Sequence, residues 1–223
     1  MLVAFDFDGT LSDSEMTVLL GDQEGVADEM AAITERAMNG EIDYATSLRD
    51  RAALLEGLPE AAVERAFARV ELREGAAPLI AALREAGHRV AILTGGFERG
   101  VERALEREGV TVDAVVANRL PMADARSEGD GPPARELTGG VEGPLIEGTK
   151  DDALRDLADD LGAGMADTVA VGDGANDRPM LEVAGLAVGY DPKPAVESAC
   201  DVAVGSMAEL RDLLADRGHL DGV

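Results

Sequence analysis

Two carboxylates directly follow the first apolar segment of the chain. The run LVAF at positions 2–5 leads into Asp6, and Asp8 follows two positions later, just before a Gly-Thr pair. Burying a carboxylate at the end of a core strand costs several kcal/mol unless another group pairs with it, and two adjacent carboxylates repel each other. The pair therefore predicts a site that holds a cation, a phosphoryl group or both.

Other polar residues follow later apolar runs or open a predicted helix. They are Thr94, Gly95 and Gly96 after the run at 89–93, Lys150 at the start of KDDALRDLADDL, and Asp173, Gly174, Asn176 and Asp177 in VGDGANDRPM. Ligands of an open α/β sheet collect outside the carboxyl ends of the strands. We therefore expect these residues and the Asp6 pair at one edge of a sheet.

Placed together, these groups suit phosphoryl chemistry. Four neighbouring aspartates cannot all be buried and ionised without a cation, and Mg²⁺ takes oxygen ligands while keeping waters that a phosphate can replace. The glycines leave backbone N–H groups free to face phosphate oxygens. A lysine beside a carboxylate nucleophile supplies positive charge where an anion develops.

Each motif also has a structural explanation when it is taken alone. An Asp-x-Asp pair after a strand is often a turn or a cap, and GDGAND suits a loop that caps a helix. A single lysine is most often solvated. Lysine is nearly absent from this chain, however, because Lys150 and Lys193 stand against 18 arginines. A retained lysine therefore indicates a special role.

Short apolar segments alternate with helical ones through most of the chain. Buried strands are predicted at residues 1–6 and in HRVAILTGG, VDAVVAN, TVAVGDG, GLAVGY and CDVAV. The helix APLIAALREAG is predicted to end at Gly87. This alternation is typical of an α/β fold, here a doubly wound, Rossmann-like parallel sheet covered on both faces.

The segment from 14 to 73 interrupts this alternation with helical patterns. Pro59 is well placed to start the helix PEAAVERAFARV. We therefore expect a helical cap domain at 14–73, inserted into an α/β core domain formed by 1–13 and 74–223. The segment from 121 to about 148, rich in Pro, Gly and acidic residues, is predicted to be a long loop or a small hairpin.

The charge balance argues against several classes of partner. Asp and Glu number 45 and Lys and Arg 20, which gives a net charge of −25. Such a surface repels nucleic acid and anionic membranes, so neither is expected as a partner. The acids are spread along the chain, which indicates adaptation to high salt, where a Debye length of about 3 Å screens the repulsion. A merely acidic protein from a low-salt organism is the alternative.

The remaining bulk features favour a reducing compartment. Cys200 is the single cysteine of the sequence, so no intramolecular disulfide is expected. We see no signal peptide and no run that approaches ~18 apolar residues. We expect a cytoplasmic protein without a membrane span, as a monomer or a homodimer.

The four motifs occur in the order that is typical of one superfamily. DFDGT, TGG, a lysine that opens a helix, and GDGANDRPM resemble the motifs of the haloacid dehalogenase superfamily, which is dominated by Mg²⁺-dependent phosphatases with an aspartate nucleophile. Over nearly its whole length the chain resembles the phosphoserine phosphatase family within it. The resemblance implies a cap-facing glutamate at Glu15, a substrate-lining aromatic residue at Tyr44 and a carboxylate-binding arginine at Arg51.

Three features depart from the family pattern. Gly9 and Thr94 stand where the family commonly has serine, although Thr94 keeps the hydroxyl group. The Gly9 form of the first motif is the commoner one in the superfamily at large. The segment 121–140 is longer than its counterpart in the family.

The chemistry of phosphoserine suits residues of the expected cap. Its carboxylate can form a bidentate pair with a guanidinium, and its ammonium needs an anionic partner. Arg51 and Glu15 would supply these two groups. Without the resemblance, Glu15 also suits the first turn of a helix, and Arg51 suits an ion pair on the cap surface.

We predict phosphoryl transfer in two steps through an aspartyl-phosphate on Asp6. Asp8 would protonate the departing seryl oxygen and then activate water. Asp6 and Asp173 would bind Mg²⁺, and the resemblance implies the Asp8 backbone carbonyl as a further ligand. Asp177 would support the metal shell or Lys150. The residues expected to contact the substrate or its phosphoryl group are Thr94, Gly95, Lys150 and Asn176.

Three other functions stay open at this point. The same chemistry could act on another small phosphate ester, such as phosphoglycolate or a sugar phosphate. A phosphotransferase would pass the phosphoryl group to another alcohol. The third alternative is a non-catalytic module that binds phosphate or metal, although a binder needs no general acid such as Asp8 beside Asp6.

Overall fold

The computed structural model describes residues 1–38, 41–125 and 134–220. The strands are β1 (Leu2–Phe5), β2 (Arg89–Phe97), β3 (Ala114–Asn118), β4 (Met122–Asp124), β5 (Arg135–Leu137), β6 (Thr168–Gly172), β7 (Leu186–Tyr190) and β8 (Val202–Val204). The helices are α1 (Met16–Glu24), α2 (Ala27–Met38), α3 (Tyr44–Ala53), α4 (Glu60–Phe67), α5 (Ala76–Glu85), α6 (Glu98–Glu108), α7 (Lys150–Asp160), α8 (Arg178–Val183) and α9 (Met207–Asp216). In this part of the chain, no helix has the length and apolar character needed to cross a membrane.

Six of the strands form one sheet, in the order β3-β2-β1-β6-β7-β8. All five neighbouring pairs are parallel. The chain builds one half of the sheet from β1 to β3 and then returns to the other side of β1 with β6. This is a doubly wound arrangement, in which the ligand site lies where the strand order reverses. The predicted fold class is confirmed.

Apolar side chains cover both faces of the sheet. Val3 and Phe5 of β1 belong to a cluster that includes residues of α5, α6 and α9. Leu2 and Ala4 belong to a second cluster, which includes residues of α7 and α8. Because all four side chains are fully buried, β1 is a continuous apolar run without alternation. This packing on both faces fixes the carboxyl end of β1, from which the first aspartates project.

The predicted elements differ from the observed ones mainly at their boundaries. The run that ends in Gly-Gly is part of β2, which continues to Phe97 with a shift of register between Leu93 and Phe97. Pro59 is the N-cap residue of α4, and Gly87 follows α5 with a φ of +80°. Within 121–148, β4 and β5 pair as an antiparallel hairpin. Residues 126–133 of that segment lie outside the described residues.

Helices α1 to α4 lie between β1 and α5 in the sequence. The two connections to the α/β part run side by side, since Ser12 and Leu72 form an antiparallel bridge. The ring of Phe67 in α4 lies 6.5 Å from that of Phe97 at the carboxyl end of β2. The helical segment therefore packs over the edge of the sheet at which the strands end.

Candidate active site

The carboxyl end of β1 presents Asp6 and Asp8 on a tightly held turn. The N–H of Asp6 donates to the carbonyl of Val171 in β6 at 2.8 Å, so the main chain continues the sheet by one residue. The chain then turns, and the N–H of Ser12 donates back to the carbonyl of Phe7 at 2.9 Å. The two carboxylates are thereby kept together at the edge of the sheet.

Gly9 occupies a position in this turn that favours glycine. Its φ is +89°, and a Cβ built there would lie 2.6 Å from Oδ2 of Asp173. A side chain at this position would be strained and would displace that carboxylate. The glycine that departs from the family pattern therefore matches the close approach of Asp173 in this chain. Thr10 adds a contact from its hydroxyl to Oδ1 of Asp173 at 3.4 Å.

Lys150 is the first residue of α7, as predicted, and only 4% of its side chain is exposed. Its ammonium lies 2.5 Å from Oδ1 of Asp6 and 2.6 Å from Oδ1 of Asp177. Burial by itself would lower the pKa of Lys150, but the charges of Asp177 and Asp6 outweigh it, and the pKa is raised. The lysine therefore carries its charge at neutral pH and orients Asp6.

Asp177 is fully buried and uses both carboxylate oxygens within the protein. Oδ1 accepts from Lys150, and Oδ2 accepts from the backbone N–H groups of Asp173 and Gly174, each at 2.9 Å. Asp177 thus holds the lysine and the turn that carries Asp173. Of the two roles expected from the sequence, this geometry favours the support of Lys150.

Asp6, Asp173 and Asp177 are buried, and each offers a carboxylate oxygen within 4.8 Å of the other two. Burial, followed by the charge of Asp177, raises the pKa of Asp6, while Lys150 opposes the shift. When ionised, these three carboxylates carry one more charge than the two lysines that contact them, Lys150 and Lys193, can balance. Hard oxygen donors around uncompensated charge are the environment that Mg²⁺ requires. The donor set fits this ion, with Asp6 and Asp173 better placed to bind it than Asp177.

The carboxyl group of Asp8 is suited to giving up a proton. Burial, followed by the charges of Glu15 and Asp6, raises the pKa of Asp8 well above its ordinary value, and a hydrogen bond from the Met16 N–H opposes the shift. Its Oδ1 is buried and accepts no hydrogen bond from any group in the described ranges. A protonated carboxyl group with an unpaired oxygen can act as a general acid.

Thr94, Gly95 and Gly96 lie in the irregular part of β2. The N–H of Gly96 donates to Oγ1 of Thr94 at 2.9 Å, which leaves the hydroxyl proton of Thr94 available to a ligand. The carbonyl of Gly95 accepts from Nδ2 of Asn118 at 3.0 Å. Oδ1 of Asn118 in turn accepts from the N–H of Leu145 at 3.2 Å. The buried Asn118 thus ties this loop to the neighbouring strand and to the segment before α7.

Glu15 and Tyr44 reach the same edge from the helical segment. Glu15 is the N-cap residue of α1, and its side chain makes no capping hydrogen bond. Partial burial raises the pKa of Glu15, while Lys193 and Arg51 oppose the shift. The hydroxyl of Tyr44 lies 3.4 Å from the carbonyl of Gly95. Glu15 therefore lies near the aspartates that follow β1, and Tyr44 lies against the glycines near the end of β2.

Arg51 is partly buried on the inner side of α3. Its guanidinium donates to Oγ1 of Thr17 and to the carbonyl of Ser47, both at 3.3 Å. Burial lowers the pKa of Arg51, while the charges of Glu15 and Asp8 act in the opposite direction. Within the described ranges, no carboxylate lies at ion-pair distance from Arg51, whereas most exposed arginines in those ranges have one. Its charge is thus left for an anion from outside the protein.

Asn176 is the expected site residue with the fewest contacts. It is exposed on the 3-10 turn at 175–177, with its Oδ1 beside Gly174, and its role stays a prediction. Three residues contact the site although the sequence analysis assigned them no role, namely Thr10, Asn118 and Lys193. The scarcity of lysine singles out Lys193 in the sequence. Thr10 ends the DFDGT motif, but its contact with Asp173 spans 163 residues and that of Asn118 with Leu145 spans 27, so no local pattern indicates either contact.

Comparison with known proteins agrees with this geometry. A family model described as haloacid dehalogenase-like hydrolase matches residues 3–182. A phosphoserine phosphatase of Halobacterium salinarum is 56% identical over 217 residues, which cover 97% of this chain and 98% of the relative. The chain belongs to the phosphoserine phosphatase family of the haloacid dehalogenase-like hydrolases. It is accordingly an enzyme, a phosphoric monoester hydrolase.

Two further members of this family are similar to the chain, one by sequence and one by its solved structure. A phosphoserine phosphatase of Archaeoglobus fulgidus is 38% identical over 209 residues, and the match spans 93% of this chain but 56% of that relative. A solved structure titled as a phospho-aspartyl intermediate analogue of phosphoserine phosphatase has a TM-score of 0.81 and 37% identity, covering 95% of this chain and 97% of the other. The doubly wound fold is therefore shared along almost the full chain.

Proposed function

We propose that this enzyme hydrolyses L-phosphoserine to serine and inorganic phosphate, the last step of serine biosynthesis, through an aspartyl-phosphate on Asp6. The observation that carries the choice of substrate is that Arg51, which has no carboxylate at ion-pair distance in the described ranges, and Glu15 both lie close enough to the catalytic aspartates to affect their charges. A phosphoserine molecule has three charged groups, and these two side chains complement the two that the aspartate cluster does not serve. The relatives described above, which bear the name of this activity, support the proposal.

We propose that Asp6 and Asp173, together with the backbone carbonyl of Asp8, hold Mg²⁺. When bound there, the ion would neutralise charge on the phosphoryl oxygens and on the nucleophile. The support for this assignment is the cluster of three buried carboxylates, whose charge Lys150 and Lys193 together do not fully balance. Asp177 stays outside this set because its oxygens are engaged by Lys150 and by two backbone donors.

In the first chemical step, a carboxylate oxygen of Asp6 attacks phosphorus and displaces the seryl oxygen. Lys150 fixes the other oxygen of Asp6 and places positive charge beside the phosphoryl group. The hydroxyl of Thr94 and the backbone at Gly95 bind phosphoryl oxygens. Asn118 supports this loop by holding the Gly95 carbonyl. One difficult displacement is thereby divided into two easier ones.

Asp8 serves both steps as a proton carrier. Because its pKa is raised, Asp8 enters the cycle protonated and gives this proton to the departing seryl oxygen. The resulting carboxylate then takes a proton from water, which attacks phosphorus and releases Asp6 and inorganic phosphate. The cycle returns Asp8 to its protonated state, so the protons balance.

We propose that residues 14–73 act as a cap domain over a core formed by 1–13 and 74–223. The cap brings Glu15, Tyr44 and Arg51 to the core residues and would exclude water that competes with the seryl oxygen in the first step. Two adjacent connections, bridged by Ser12 and Leu72, join the cap to the core. Such a connection would allow the cap to move as a unit.

We also propose that the enzyme works in a salt-rich cytoplasm, as a monomer or a homodimer. A net charge of −25, spread along the chain, favours such a medium. The relative of high identity from Halobacterium salinarum supports the same setting. The single cysteine is compatible with a reducing compartment.

A panel of four esters tests the choice of substrate. Phosphate release is measured with Mg²⁺ at high KCl from L-phosphoserine, phosphoethanolamine, phosphoglycolate and an aryl phosphate. Phosphoethanolamine lacks the carboxylate, phosphoglycolate lacks the ammonium, and the aryl phosphate lacks both. We expect phosphoserine to have the highest kcat/KM. In Arg51→Ala its KM should rise about 10- to 100-fold, the range expected from losing charge-assisted hydrogen bonds.

Two comparisons make this test specific. Phosphoethanolamine should be nearly insensitive to Arg51→Ala, because it has no carboxylate for the guanidinium to bind. Arg65→Ala removes an exposed cap arginine, which donates to Gln23, and should leave all four substrates unchanged. An equal or higher kcat/KM for another ester would overturn the assignment of phosphoserine. A new ester formed after acceptor alcohols are added would instead indicate a phosphotransferase.

A further inference from the structure

Both lysines of this chain contact aspartates of the same buried cluster. Lys150 binds Asp6 and Asp177, and the ammonium of Lys193 lies 2.8 Å from Oδ2 of Asp173. All 18 other Lys and Arg positions carry arginine. The mechanism accounts for Lys150 but gives no task to Lys193.

The backbone of Lys193 is fixed, whereas its side chain is not enclosed. Its N–H donates to the carbonyl of Asp173 at 2.9 Å, and its carbonyl accepts from the N–H of Val196 at 2.9 Å. The side chain of Lys193 is 59% exposed, against 8% for Asp173. The ammonium can therefore leave the carboxylate by rotation about side-chain bonds while the loop stays in place.

We infer that Lys193 occupies the charge position of the divalent cation when the site holds no metal, and that it withdraws when Mg²⁺ binds Asp173. This inference rests on the magnesium site proposed above. Lys193 is thus a positioning residue that acts through Asp173. It keeps the carboxylate in place in the metal-free protein and competes with the ion for it.

The choice of lysine over arginine agrees with this role. An ammonium is a compact charge on a flexible stem, whereas a guanidinium can hold a carboxylate with two parallel hydrogen bonds. A reversible partner for a metal ligand should bind by one contact and be readily solvated on release. Lysine meets both requirements, and its retention in a chain that otherwise uses arginine is then explained. After it leaves the carboxylate, the ammonium of Lys193 stays close to Asp173 because its backbone is fixed. Its positive charge therefore continues to oppose the binding of Mg²⁺.

Calorimetric titration of metal-free protein with MgCl₂ at fixed high KCl tests the inference. Lys193→Met removes the charge and keeps a stem of similar length. We expect Mg²⁺ to bind Lys193→Met about fivefold or more tightly than the wild type, because no internal cation competes. In EDTA, Lys193→Met should have a lower thermal midpoint than the wild type, and saturating Mg²⁺ should remove that difference.

Matched variants separate this role from a general effect of charge. Arg178 donates to the carbonyl of Ala195 in the same loop and pairs with Glu182. Arg178→Met removes one positive charge there and should leave the Mg²⁺ affinity unchanged. Lys193→Arg keeps the charge and should bind Mg²⁺ no more tightly than the wild type. An affinity of Lys193→Met equal to or below that of the wild type would overturn the inference, as would an unchanged midpoint in EDTA.

The same titration distinguishes failure of the inference from failure of the magnesium site. Asp173→Asn should weaken Mg²⁺ binding strongly if Asp173 is a ligand. If the wild type binds Mg²⁺ and Asp173→Asn does not, the site stands, and the result for Lys193→Met decides the inference alone. If neither the wild type nor Lys193→Met binds Mg²⁺, both the site and the inference are wrong.

Discussion

Asp177 holds the ammonium of Lys150 at 2.6 Å with one carboxylate oxygen and accepts two backbone hydrogen bonds with the other. Its charge therefore stabilises a lysine that touches the nucleophile. This relationship divides the acidic cluster by task, because Lys150 uses only one oxygen of Asp6, and the partners of Asp173 are the exposed ammonium of Lys193 and the hydroxyl of Thr10 at 3.4 Å. Replacing Asp177 should therefore affect catalysis and the binding of Mg²⁺ to different degrees.

Asp177→Asn should reduce catalysis more than it reduces metal binding. The amide would no longer balance the charge of Lys150, so we expect kcat for phosphoserine to fall about 100-fold, as for other losses of electrostatic support at a transferring group. Asp173→Asn should weaken Mg²⁺ binding more than Asp177→Asn does. Steady-state kinetics and calorimetric Mg²⁺ titrations of both variants provide the comparison. Equal losses of Mg²⁺ affinity would place Asp177 among the ligands instead.

The general-acid role of Asp8 predicts a dependence on the leaving group. Asp8→Asn cannot protonate the seryl oxygen, so formation of the phosphoenzyme from phosphoserine should slow by about 10² to 10⁴-fold. An aryl phosphate expels a stabilised phenolate and needs little protonation. Its initial burst of phenol should therefore persist in Asp8→Asn, even though the later hydrolysis of the phosphoenzyme is slow. Stopped-flow measurement of the burst tests this, and an equal slowing for both substrates would argue against proton donation by Asp8.

Salt should raise both stability and activity. At low ionic strength a net charge of −25 repels itself and also repels an anionic substrate. We expect kcat/KM and the thermal midpoint to increase as KCl rises from about 0.1 M toward molar concentrations, where the Debye length shortens to about 3 Å. Sucrose of equal osmolality, which does not screen charge, is the control. Full folding and equal activity in dilute buffer would contradict adaptation to high salt.

Asp113 provides a pH-dependent stabilisation remote from the active site. Burial raises its pKa, but the Val90 N–H at 2.9 Å and the guanidinium groups of Arg89 and Arg84 outweigh burial, and the net pKa is lowered. Because the pKa of Asp113 is lower in the folded protein than in the unfolded chain, its charge stabilises the fold at any pH above the pKa of the unfolded chain, which is about 4. This stabilisation is lost as the pH falls through the folded pKa.

Asp113→Asn should therefore lower the free energy of unfolding by about 1.5–3 kcal/mol at neutral pH, the range for hydrogen bonds to a charged group. The difference from the wild type should shrink as the pH falls below about 4. Denaturant unfolding at several pH values measures it. Asp152→Asn, which removes an exposed partner of Arg155, should change little at any pH. A difference independent of pH would show that the charge of Asp113 is not the cause.

The sequence predicted the sheet and most of the site because both depend on local patterns. Asp6, Asp8 and Asp173 follow short apolar runs that predict buried strands, and Lys150 opens a predicted helix. The bounds of β2 were less predictable. The strand continues through two glycines to Phe97, because Phe97 pairs with Asn118 of β3 after a shift of register that no local pattern indicates.

The contacts missed by sequence reasoning join residues that are distant along the chain. The ion pair of Lys193 with Asp173 and the hydrogen bond from Thr10 to Asp173 depend on how the ends of β1, β6 and β7 meet. Gly9 was identified only as a departure from the family pattern. Its reason, a φ of +89° against the carboxylate of Asp173, exists only in the folded chain.

Trapping the phosphoenzyme tests the central claim most directly. Enzyme mixed with L-phosphoserine and Mg²⁺ is quenched in acid within the first turnover and reduced with borohydride, which converts an aspartyl-phosphate to homoserine. Peptide mass spectrometry then locates the change. The account predicts homoserine at position 6, absent without substrate and absent in Asp6→Asn, which should be folded but inactive. Homoserine at another aspartate, or turnover retained by Asp6→Asn, would contradict the assignment of Asp6 as the nucleophile.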